Sequence, residues 1–351
     1  MSANSSALLP TVSRSPQAYP FSWDINADAV FLTPVSEADY AKASFLDQRL
    51  FQGGQPRGEW VGGGELAAAA ASLPERLGFI FHIGHVGSTL ISRLIGADPR
   101  LLSIREPMPL RQIAQLKPDL DTPESHVSRE TYESRLTLFL KLWSRTFRAG
   151  QTPVVKATSF AAECAPDLLA RPSAPSALLM FSSAEVYVAS ILAGPNSRQE
   201  VLGLAQWRLK RLCRLLGASP WRLWEMGEGE RIAMSWLCEM VALQQAVNGR
   251  EEQVAWVDFD RFLAEPLPWL DLACRRFGVE METGALERLI AGPLMRQYSK
   301  APEHAYDARL RAEVLAAGRS ENAAELSAAM SWLKRAAAES PMVRDALDFA
   351  G

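Results

Sequence analysis

Five short apolar runs punctuate the chain, and each is followed by residues with helical periodicity. They are Gly78–Ile83 (GFIFHI), Leu101–Ile104, Pro153–Ser159, Ser176–Ser182 and Gln253–Leu263. Continuous apolar runs of this length, alternating with helices, predict an α/β domain. The expected architecture is a central parallel sheet of about five strands, with right-handed crossovers and helices on both faces. Between the second and third runs, Tyr132, Leu136, Phe139, Leu140, Trp143 and Phe147 recur at helical spacing. That stripe reads as core, and Arg135, Lys141, Arg145 and Arg148 as solvated. A second basic helix, Gln199–Leu216, carries Arg208, Lys210, Arg211 and Arg214. The pattern divides the chain into three parts. Residues 1–19 are rich in Ser, Ala and Pro and read as a disordered tail. Residues 20–77 carry scattered aromatics and read as an extension packed on the core. Residues 78–351 form the α/β domain.

Chemistry enters at the end of the first run. GFIFHI leads into the glycine-bracketed turn Gly84-His85-Val86-Gly87-Ser88-Thr89, and the turn opens a helix at Leu90. Strand, tight turn and helix start form a phosphate cradle: glycines let the backbone approach a ligand, and the uncapped helix N–H groups face an anion. A nucleotide-triphosphate loop, GxxxxGK[ST], needs a lysine where Ser88 stands. The alternative is a structural turn with an N-capping serine.

The turn resembles the phosphosulfate-binding loop of sulfotransferases, roughly P-[RK]-S-G-[ST]-T followed by a hydrophobic residue. In that likeness Gly84 stands at the proline, His85 at the basic residue, Gly87 at the glycine, and Ser88 and Thr89 at the hydroxyl pair. The resemblance implies a P-loop-type three-layer fold. It implies transfer of a sulfuryl group from 3′-phosphoadenosine 5′-phosphosulfate (PAPS) to a hydroxyl or amine of a small-molecule acceptor, with no metal. Residues Gly84 to Leu90, Val86 included, would hold the 5′-phosphosulfate. Lys156, near the end of the third run, and His85 would neutralise charge on the transferring group; for Lys156 the alternative is a contact to a neighbouring carboxylate. The fourth run and the helix after it resemble the family's 3′-phosphate motif, V-R-[DN]-P-R-D-V-x-x-S. Ser190 matches the terminal serine, while Ser182, Ala184 and Glu185 replace the first arginine, the proline and the second arginine. Either another cation substitutes or the donor is not PAPS; Arg198 and Arg208 are the nearest cations downstream, and Lys300, in the segment Leu294–Arg309, is a third. The stretch VAWVDFDRFLAEP resembles a further family pattern, with its acidic residues read as caps and salt bridges. The rival functions are a P-loop kinase or other nucleotide phosphotransferase, and a non-catalytic nucleotide-binding homologue.

Glu106 follows the second run directly. An acidic residue at the carboxyl end of a parallel strand borders the ligand crevice, which makes Glu106 the candidate general base. A structural pairing with Arg105 or Arg111 is the alternative. Composition narrows the class further. A net charge of -3 argues against a general nucleic-acid binder. The four cysteines form no CxxC pair and read as reduced, and the four histidines have no zinc spacing. No run approaches a membrane span and no secretory signal is evident, so a cytoplasmic enzyme is expected.

Overall fold

The computed structural model describes residues 8–51, 53–301 and 303–351. Its centre is a sheet of five parallel strands: β4 (Gly78–His82), β5 (Leu101–Arg105), β6 (Thr152–Lys156), β7 (Ala177–Phe181) and β8 (Val254–Asp258), in the order β5-β6-β4-β7-β8. All five residues of β4, β5 and β7 are buried. A strand covered on both faces has no solvent side to alternate with, which is why the sequence showed solid apolar runs. The chain leaves β4 toward β5 on one side and leaves β7 toward β8 on the other. The carboxyl ends of β4 and β7 therefore form a topological switch point. Right-handed crossovers in opposite directions put helices on opposite faces. Helix Ser88–Ile95 packs with helix Pro266–Arg276, and helix Ala184–Leu192 packs with helix Glu228–Val247.

The amino-terminal part makes a sheet of its own: β1 (Ala18–Asp24), β2 (Ala29–Pro34) and β3 (Glu59–Gly62), antiparallel in that order. It is bound to the α/β unit by side chains. The Trp23 ring meets the Phe139 ring edge-on, and Gln112 exchanges hydrogen bonds with the Trp23 backbone at 2.9 and 2.6 Å. The expected tail of residues 1–19 is corrected from Leu8 onward; residues 1–7 lie outside the described residues. Arg145 explains the difference. Expected in solvent, it is instead buried, and its guanidinium donates to the carbonyls of Val12, Ser15 and Ala18 at 3.0, 2.7 and 2.8 Å. Arg135 is likewise buried, forked onto Asp28.

Boundaries shift elsewhere too. The fifth run stops being a strand at Asp258, whose side chain caps the next helix by accepting from the N–H groups of Asp260 and Arg261. The basic helix is two, Pro195–Gly203 and Ala205–Leu216. All four cysteines are free thiols. Among the described residues no helix is long and apolar enough to cross a membrane.

Candidate active site

The segments that follow all five parallel strands line one cavity of about 750 Å³. The turn after β4 forms its floor. Gly84, His85 and Gly87 all have positive φ, at 94°, 55° and 63°. Gly87 is irreplaceable by contact as well as by conformation, because a Cβ there would lie 2.0 Å from the Phe259 ring. His82, at the end of β4, braces the turn from below. The Gly84 N–H donates to its Nδ1 at 3.0 Å, so the proton sits on Nε2, which donates to the Ala157 carbonyl at 2.9 Å. Burial, and after it Lys156 and Lys300, hold this imidazole well below its ordinary range, so it stays neutral. The histidine inside the apolar run was the visible sign of this brace.

The turn's donors face the cavity without protein partners. The N–H groups of His85, Val86 and Gly87 meet no acceptor among the described residues. Helix Ser88–Ile95 begins at Gly87 with no side-chain cap, which removes the N-capping-serine alternative. Four buried side-chain atoms on the wall also lack a partner: Thr89 Oγ1, Thr158 Oγ1, Tyr187 Oη and Arg208 Nη1. Buried polar groups are nearly always satisfied, and a cluster of exceptions around one cavity marks a place for a polar ligand. Every one of the four can donate a hydrogen bond, so together with the bare amides they fit an anion.

The second feature joins two candidates that the sequence offered separately. Glu106 directly follows β5 and Lys156 ends the neighbouring β6, and the Glu106 N–H donates to the Lys156 carbonyl at 2.7 Å. Their side chains form a direct ion pair, with Lys156 1% exposed behind Glu106. Arg49 completes it from the other side, with Nη2 at 3.3 Å from Glu106 Oε2. Burial by itself pushes the Glu106 carboxyl up, but Lys156, with help from Arg49 and Lys300, more than offsets this and holds it below its usual range. Burial pulls the Lys156 ammonium down, and Glu106 offsets part of that. The partners of Glu106 are therefore neither Arg105 nor Arg111. Arg105 is buried and donates to the carbonyls of Tyr40 and Ala43, while the Leu46 N–H returns to the Arg105 carbonyl at 2.8 Å. This clamp delivers Phe45, Asp47 and Arg49 of the amino-terminal part to the cavity wall. Sequence reasoning missed them, since nothing local links residues 45–49 to β5. Glu106 also has positive φ, 53°, a conformation that non-glycine residues rarely hold outside functional or tightly determined sites.

Of the residues expected here, the turn from Gly84 to Leu90, Glu106, Ser190 and Lys300 line the cavity. Lys300 is exposed, with no ion-pair partner among the described residues. Ser190 Oγ donates to the Tyr187 carbonyl at 2.8 Å. Three expectations are corrected. Ser182 is buried off the wall, its carbonyl taken by Trp236 Nε1 at 3.0 Å. Arg198 also misses the cavity, because it is forked onto Glu228 with both contacts at 2.7 Å. The nearby arginine that does reach it is Arg208. His85 is not a cation in the free protein, since burial, followed by Lys300, Arg208 and Lys156, pushes its imidazole down to about 3.

No protein-family model matches the chain, and no curated protein does. Solved structures that resemble it include two sulfotransferases. One is the sulfotransferase domain from the curacin biosynthetic pathway, 14% identical, with a TM-score of 0.38, covering 67% of this chain and 84% of that one. The other is a sulfotransferase from Alicyclobacillus acidocaldarius, 18% identical, with a TM-score of 0.34, covering 70% of this chain and 99% of that one. Both likenesses are distant, and the chemistry below rests on the side chains of this molecule.

Proposed function

We propose that the protein is a PAPS-dependent sulfotransferase acting on a hydroxyl or amine of a small molecule. The observation that carries this reading is the set of unpartnered donors around the glycine turn: three loop amides and four buried side-chain atoms, converging on one cavity. They fit a phosphosulfate group bound through the main chain, where a triphosphate would want the lysine that Ser88 replaces. Lys300 adds an exposed cation to the wall.

In the reaction, Glu106 accepts the proton of the acceptor hydroxyl or amine as that atom attacks sulfur. The bond from sulfur to the bridging phosphate oxygen breaks, and the leaving nucleotide keeps the electron pair. The ion pair couples the two events. Protonating Glu106 cancels the charge that Lys156 was matched to, so the positive field of the ammonium behind it then favours negative charge growing on the bridging oxygen. A carboxylate between two cations is a weak base in isolation, but this coupling returns part of the cost in the same step.

Calorimetry with adenosine 3′,5′-bisphosphate (PAP), PAPS and Mg-ATP tests the reading. Micromolar or tighter PAP binding without metal is expected. Tight Mg-ATP binding with none to PAP points to a kinase, and no binding of any of the three points to a protein without nucleotide chemistry.

A further inference from the structure

The sulfotransferase reading leaves one gap, the arginine missing at Ser182. Arg208 is 2% exposed, yet it reaches the cavity wall from helix Ala205–Leu216. Its Nε donates to Glu239 Oε1 at 3.0 Å, and Glu239, wholly buried in helix Glu228–Val247, also holds Arg211 through its other oxygen. Arg211 lies 3.6 Å from Glu163, which in turn pairs with Arg214 near the surface. The ladder contains three arginines and two glutamates, and the excess positive charge falls to Arg214, which is 47% exposed. At its inner end, Arg208 Nη1 is buried with no partner.

A buried donor without an acceptor is expensive, and proteins tolerate it where a ligand completes the set. The neighbouring groups point the same way. The hydroxyl of Tyr187 is also buried and unpartnered, and its ring borders Gly84, where an added Cβ would lie 4.0 Å from Cε2. Tyr187 and Ser190 are successive wall residues on the helix after β7, the element that carries the resemblance to the 3′-phosphate motif. We infer that Arg208, held by Glu239 and assisted by the Tyr187 hydroxyl, grips the second phosphate of the donor nucleotide, doing from another helix the work of the arginine absent at position 182. Glu239 is a positioning residue: it fixes the guanidinium plane through Nε and leaves Nη1 unpartnered. This inference rests on the PAPS reading.

The test compares two nucleotides that differ by one phosphate, PAP and adenosine 5′-monophosphate (AMP), on the wild type and on two variants. Arg208→Lys keeps a cation beside Glu239 but removes the fork. Tyr187→Phe removes a hydroxyl that bonds nothing in the protein, so the fold should survive. Arg208→Lys is expected to weaken PAP binding about 10- to 100-fold, the usual worth of a charged hydrogen bond, and to change AMP binding less than about threefold. Tyr187→Phe should weaken PAP about three- to tenfold with AMP again unmoved. PAP affinity within twofold of wild type in a folded variant overturns the assignment, as does equal loss for PAP and AMP, which would put Arg208 on the shared phosphate. If Arg208→Lys does not fold, Tyr187→Phe alone decides by the same criteria. Absence of PAP binding by the wild type is a separate outcome: it removes the PAPS reading itself, and the inference with it.

Discussion

The Lys156 ammonium, nearly inaccessible at the end of β6, is ion-paired to the Glu106 carboxylate directly after β5. Parallel pairing sets this geometry, since Arg105 and Lys156 are in register and the Glu106 backbone continues the ladder by donating to the Lys156 carbonyl. Two residues fifty positions apart in the chain thus act as one group, and either one alone is a buried charge.

Glu106→Gln should leave PAP affinity nearly unchanged and lower kcat by about 10²- to 10⁴-fold, the contribution of a positioned base. The same carboxyl sets the acid limb of the rate profile. Its pKa is depressed, so the base form persists as pH falls and is lost only below the ordinary carboxylate range. Steady-state rates across pH check both. Wild-type turnover in the variant would remove Glu106 from the mechanism.

Lys156→Met should destabilise the protein by about 3–5 kcal/mol at neutral pH, because it leaves a largely buried carboxylate with only Arg49. The sign of the pH effect follows. Losing the cation raises the Glu106 pKa, and protonation then removes the unmatched charge, so the deficit shrinks as pH falls. Urea unfolding at several pH values measures it. Adding Glu106→Leu should recover much of the loss.

His85 makes ligand binding pH-linked. Its imidazole is down at about 3 in the free protein, against an ordinary 6.5. The unfolded chain therefore takes up a proton below 6.5 that the fold refuses until about 3, and stability is lost on acidification through that window. A bound anion reverses the preference of the ring. PAP binding should take up protons and tighten as pH falls below the ordinary imidazole range toward about 3, seen as a buffer-dependent calorimetric enthalpy. His85→Asn should abolish that uptake; unchanged uptake would assign it to another group.

Gly87→Ala should cost about 1–3 kcal/mol and abolish nucleotide binding, since the new methyl meets the Phe259 ring in a backbone conformation that disfavours it. Shortening the ring with Phe259→Leu should restore part of the stability and little of the binding. Full recovery of both would mean that only the contact mattered.

The turn was legible because everything that makes it is local. An apolar run, two glycines and a helix start suffice to specify a strand, a left-handed bend and bare amides, whatever the rest of the chain does. Glu106 was legible for the same reason, as the residue next to a strand end. The amino-terminal sheet was not, because its strands hold register through pairings between β2 and a strand some thirty residues on, and aromatic spacing alone does not reveal them. Arg145 and Arg135 were misplaced in solvent because an arginine on a helix face looks the same whether water or carbonyl groups surround it.

What the amino-acid order determined by itself was the succession of buried strands and helices, and the backbone shape of one glycine-bracketed bend, since both depend on neighbours along the chain. Tertiary structure alone decided which charges meet. It joined Lys156 to Glu106, spent Arg198 on Glu228, and left Arg208, a residue of the cavity wall, with a buried nitrogen that has no partner. Partner choice among buried charges is a matter of distance and desolvation in three dimensions, and residue spacing does not carry that information.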